Sequence, residues 1–135
     1  MLKWIALFCA IIFTLSACAF ITGGNINITD AKIVTAVDEN LMPVRITDDF
    51  PKGTSKVVCW FQWKDARINL QILAKWRYIT DDIHILDYPF YIPKSAGSGS
   101  VALSGPEGKP LPAGQYKVDL VVGRHALRSL TFKIE

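Results

Sequence analysis

Residues 68–78 are apolar at every even position, Ile68, Leu70, Ile72, Ala74, Trp76 and Tyr78. They are polar at the odd positions Asn69, Gln71, Lys75 and Arg77, with Leu73 the exception. A β-strand turns successive side chains to opposite faces, so a period of two sustained this long means one face in a core and one in solvent. A helix would spread the same residues around its circumference. The stretch therefore demands a half-buried strand, and a strand demands partners.

The partners are legible on both sides. Residues 32–37 and 44–47 read as short strands, the second following Pro43. In 56–63, Val57, Cys59, Phe61 and Trp63 share a face. Residues 115–122 set Tyr116, Val118, Leu120 and Val122 against Lys117 and Asp119, and 127–134 aligns Leu130, Phe132 and Ile134. Weaker strands are read at 82–86 and 90–92, around Pro89, and at 101–103. Turn residues separate them at 48–53, 105–110 and 123–124, while 93–99 reads as a loop and Gly97-Ser98-Gly99-Ser100 as a flexible connector. No segment carries a helical period. Half of the 135 residues are hydrophobic and 20% are charged, which suits one compact core. The expected fold is all-β, an antiparallel sandwich of about seven strands over residues 32–135.

The start of the chain is different in kind. Met1-Leu2-Lys3 supplies a positive charge, residues 4–13 are apolar, and Leu15-Ser16-Ala17-Cys18 follows. A charged n-region, an apolar h-region and small residues at a cleavage point compose a secretory signal peptide. The last four residues resemble the bacterial lipobox of Leu, two small residues and Cys. That resemblance implies that residues 1–17 are removed and that Cys18 carries a diacylglyceryl group, with its new amino terminus acylated. The alternative is an uncleaved span from residue 4 to about 21, short for a bilayer. Residues 18–31, with Gly23-Gly24 and several Asn, read as a lipidated tether. Ala19 follows the Cys. In Gram-negative relatives the lack of an Asp there resembles an outer-membrane address, facing the periplasm or the cell surface.

Two further features resemble the immunoglobulin-like superfamily. Trp76 stands where such domains keep a buried Trp on their third strand. Leu111-Pro112-Ala113-Gly114-Gln115-Tyr116-Lys117-Val118 resembles the corner before strand F, with Tyr116 as its tyrosine. Residues 56–135 also look like the small domains of this kind common in bacterial envelope proteins, whose pattern "Pro-x-Gly-x-x-Leu-x-x-Gly-x-Tyr" runs here from Pro106 to Tyr116. The resemblance implies that Cys59 occupies the place of the first Cys of such domains and Val118 that of the second, so their disulfide is missing. Cys59 then reads as a small buried hydrophobe, with a reactive thiol as the sharper alternative.

Little in the chain offers catalysis. His84 and His125 are the only histidines, and neither lies in a nucleophile motif. Asp82 and His84 alternate on one strand with Asp87 nearby, too few donors for a metal centre, and no cofactor motif occurs. A net charge of +3 with scattered basic residues excludes nucleic-acid binding. Binding is the better use. Trp60 points away from the Cys59 face, and Tyr88, Phe90 and Tyr91 cluster near Pro89 and Pro93, so these four are the candidate binding residues unless the segment before Lys56 or the Pro89 loop covers Trp60. The chain reads as a non-enzymatic envelope lipoprotein, held to a membrane by its lipid and serving as an interaction or structural module for an envelope protein. A glycan-binding module and an envelope enzyme are the alternatives.

Overall fold

The computed structural model describes residues 26–135. The signal peptide, Cys18 and most of the expected tether lie outside the described residues. Nine strands follow in order: β1 (Asn27–Val37), β2 (Pro43–Ile46), β3 (Asp49–Phe50), β4 (Lys56–Lys64), β5 (Gln71–Tyr78), β6 (Ile83–Tyr91), β7 (Gly97–Ser104), β8 (Gly114–Val122) and β9 (His125–Ile134). They form two sheets, ordered β2-β1-β4-β7 and β3-β9-β8-β5-β6. This is a two-sheet β-sandwich, as the alternating strands demand, of the immunoglobulin-like kind that the resemblance implied.

The core is built from the faces read in the sequence. Val57, Cys59, Phe61 and Trp63 of β4 meet Ile72, Ala74 and Trp76 of β5, Tyr116, Val118 and Leu120 of β8, and Phe132 and Ile134 of β9. Aromatic rings gather at two places. Tyr116 stacks on Phe132 at 5.0 Å, with Trp76 and Phe50 edge-on to Phe132; elsewhere Phe61, Trp63 and Phe90 pack within 6 Å of one another. Such pairs add to the burial of their area.

Tyr116 closes the corner into β8. Its hydroxyl donates to the Pro112 carbonyl at 2.6 Å, and Tyr78 donates to the neighbouring Ala113 carbonyl. Gly114, at φ +140°, is needed here, because a Cβ would lie 2.6 Å from the Tyr78 hydroxyl. Tyr116→Phe keeps the ring and loses the bond, so urea denaturation should show a loss of about 1 kcal/mol with an unchanged slope.

Several boundaries differ from the sequence reading, each for a physical reason. The long alternation enters its strand only at Gln71: Ile68 is exposed, and Asn69 sits in a turn at φ 68°. Residues 27–31 belong to β1, not to the tether, because Ile28 is buried in the core opposite Trp63. The turn at 48–53 contains β3, which lies parallel to β9 and buries Phe50, so the sandwich is not wholly antiparallel. The two weak strands around Pro89 are one, β6, where Pro89 sits on a sheet edge that tolerates it. The Gly/Ser stretch is the start of β7 rather than a connector. A Cβ at Gly97 would lie 3.1 Å from the Trp63 ring, and one at Gly99 2.5 Å from Phe90. Glycine there makes room for large rings.

Candidate interaction surface

The candidate residues have three different fates. Trp60 faces outward from its sheet, beside Val58 and Val34, yet is only 3% exposed. β1 follows β4 only as far as Val34, then turns away with β2 as a hairpin that folds over this face. The Leu41 carbonyl at the hairpin tip accepts a hydrogen bond from Trp60 Nε1 at 2.7 Å, and the Lys32 ammonium lies 5.8 Å from the ring centroid. The exposed platform expected at Trp60 is therefore absent: the segment before Lys56 covers it. Phe90 is half-buried, a part of the core against Phe61 and Trp63. Tyr88 and Tyr91 are exposed, but they lie on opposite faces of β6, Tyr88 paired with Ala74 and Tyr91 with Gln71. No two of these rings form a flat stacking surface.

Tyr88 belongs to a larger feature. β6 and β7 are the edges of the two sheets on one side of the sandwich, joined through residues 92–96. They meet where Phe90 lies over Gly99. Away from that contact, β6 carries Tyr88, Leu86 and Ile83 on its inner face, aligned with the core residues Ala74 and Trp76 and the partly buried Tyr78 of β5. These three are 50%, 36% and 50% exposed. β6 and β7 each end a sheet, and no described strand pairs with the outer edge of either.

The alignment of Ile83 with Leu86 could not be read from the sequence. The β5–β6 register shifts between Trp76 and Arg77, leaving Ile85 as an extra residue that resets the alternation. Parity alone would group Ile83 with Ile85 and separate both from Leu86. The signal was hidden in tertiary pairing.

Beside this row, Tyr88 lines an open depression of about 340 Å³ with Ala36, Val37, Val58, Lys56 and residues 100–102 of β7. Its walls are aliphatic and hydroxyl-bearing, and its one charged lining residue is Lys56. The broad face of the other sheet is different. Lys75 lies opposite Asp119 and Arg77 opposite Lys117, with Asp82 bonded to Arg77 and Asp119 at 3.6 Å from Lys117. That face is a balanced, solvated surface.

Cys59 is fully buried and forms no disulfide among the described residues, and burial pushes its thiol from 9.0 to about 12. A thiolate is the reactive form, so iodoacetamide should leave Cys59 unmodified in the folded protein and alkylate it once denatured. Burial likewise raises the Tyr116 phenol to about 12, with Tyr78 adding to the effect. Both groups hold their protons more tightly folded than unfolded. Stability should thus be constant through neutral pH to about 9 and fall as pH climbs toward 12.

No family model matches the chain, and no curated protein matches its sequence. Among solved structures it is similar to an immunoglobulin-like protein from Pseudomonas aeruginosa, with a TM-score of 0.60 at 12% identity, covering 84% of this chain and 99% of that one. A Niemann-Pick type C2 protein from the Japanese carpenter ant gives a TM-score of 0.44 at 10% identity, covering 85% and 96%. The first similarity shows the fold, an immunoglobulin-like sandwich, and a fold alone assigns no function.

Proposed function

We propose that this chain is a lipid-anchored, non-enzymatic module of the cell envelope that holds a protein partner at the membrane through the β6–β7 side of its sandwich. One observation carries the binding role. Ile83, Leu86 and Tyr88 form an exposed apolar row in register with Tyr78, Trp76 and Ala74 of β5, and contiguous exposed apolar residues of this kind mark interaction sites. Location comes from the sequence: the lipobox Leu15-Ser16-Ala17-Cys18 behind an apolar leader supports lipidation at Cys18 and, with Ala19 following, an outer-membrane address in a Gram-negative host. Glycan binding is the weaker reading, because Trp60 is covered and Tyr88 and Tyr91 look in opposite directions. An enzyme is weaker still, since the thiol of Cys59 is held protonated and out of reach.

Photo-crosslinking in intact cells tests the role. A photoreactive phenylalanine analogue placed at Tyr88 should yield a discrete heavier species, and the same analogue at Lys117, on the solvated face, should not. Identical patterns from the two positions would contradict the reading.

A further inference from the structure

Four strands end the two sheets, and three of them are protected in ways that sheet proteins use against unwanted pairing. β2 has only four residues and contains Arg45 at φ 52°. β3 has two residues. β6 carries Pro89, which lacks an N–H, and the extra residue Ile85. β7 has none of these. It runs eight residues in unbroken register with β4, from Lys56↔Ser104 to Trp63↔Gly97, with no proline, no bulge and no charge. The side chains it turns away from the core, Ser98, Ser100, Ala102 and Ser104, are small, and as the last strand of its sheet it has no strand partner beyond its outer edge. Tyr88, at one end of the exposed row that continues with Leu86 and Ile83, shares a depression with Ser100, Val101 and Ala102 of β7.

We infer that an extended segment of a partner protein adds to β7 as a further strand of the β2-β1-β4-β7 sheet. This rests on the reading of the domain as an interaction module and names the surface it uses. The added strand satisfies the open edge of β7, and alternate apolar side chains cover the β6 row, which is the division of labour in strand addition. Charge selects the occupant. Lys94 lies against Gly97 at one end of β7, and Lys56 sits opposite Ser104 at the other, while no acidic side chain lines the depression between them. Two copies of this chain paired antiparallel through β7 would gather a Lys94 and a Lys56, one from each copy, at each end of the seam. A foreign strand with acidic residues at its ends fits instead.

The test uses the full chain in detergent micelles, followed by hydrogen exchange. The probe is a short synthetic peptide of alternating valine and threonine with aspartate at both ends. Two variants are N-methylated on alternate residues, so that each loses the N–H groups of one edge. Slowed exchange is expected in residues 97–104 and 83–91. One methylated variant should bind at least about tenfold more weakly while the other matches the parent, and lysine in place of the terminal aspartates should weaken binding. Equal binding by both methylated variants would overturn the inference, as would no protection up to about 1 mM peptide. Protection confined to another face would remove this surface and leave the interaction role standing. A self-dimer that protects β7 would show the occupant to be a second copy and overturn the choice of partner.

Discussion

Trp76→Ala should cost about 3–5 kcal/mol and lower the urea midpoint by about 2 M. The indole is fully buried between the sheets, edge-on to Phe132 and on the same face as Ile72 and Ala74. Removing it leaves a cavity that the surrounding aromatic cluster cannot close. A domain of this size has only about 5–15 kcal/mol in total, so the variant stands near its folding threshold. Trp76→Phe should be far milder for a specific reason. Trp76 Nε1 is buried with no acceptor among the described residues, so the smaller ring removes an unsatisfied donor along with the lost area. A loss as large for Phe as for Ala would mean that the indole nitrogen is bonded in solution.

The same tryptophan marks what a sequence can and cannot disclose about such a domain. β5, β8 and β9 were legible because each has one face in the core and the other largely in water, and that contrast is written directly as alternation. β4, buried on both faces at Val57–Phe61, was legible from its run of apolar residues. Tyr116 was legible because its corner is local, the hydroxyl reaching only four residues back. β3 left no mark, since two residues paired in parallel with a distant strand have no period of their own. The first half of β7 was hidden by Gly97 and Gly99, which look like a linker until the rings of Trp63 and Phe90 are placed against them. The surface on β6 was half legible: the aromatic composition singled out Tyr88, while the bulge at Ile85 concealed that Leu86 and Ile83 stand in line with it. For Trp60 the choice between an exposed platform and a covered ring stayed open in the sequence, and the structure resolves it in favour of cover by the segment before Lys56. Its outward direction followed from parity, but the hairpin that folds back to cover it is set by long-range contacts.

The second large effect concerns location. Cys18→Ala should abolish incorporation of labelled palmitate and leave a heavier precursor that retains its leader, because lipidation of the Cys precedes cleavage in the lipoprotein pattern that Leu15-Ser16-Ala17-Cys18 resembles. If residues 4–21 were instead an uncleaved span, the substitution would change neither the label nor the mobility of the band. The distinction is large because the anchors differ in kind. A single acyl chain binds a bilayer only marginally, at about 0.8 kcal/mol per buried CH₂ distributed over one tail, whereas two or more chains hold a protein stably. An interaction module of this size gains most from such an anchor, since it confines its partner to the same surface and raises the effective concentration of the pair.

Intact-mass spectrometry of the amino-terminal peptide from membrane-extracted protein gives the most direct test. The chain should begin at Cys18 and carry a diacylglyceryl group on sulfur, with a further acyl chain on nitrogen. A terminus with a free thiol, or one that still carries residues 1–17, would contradict the anchored module.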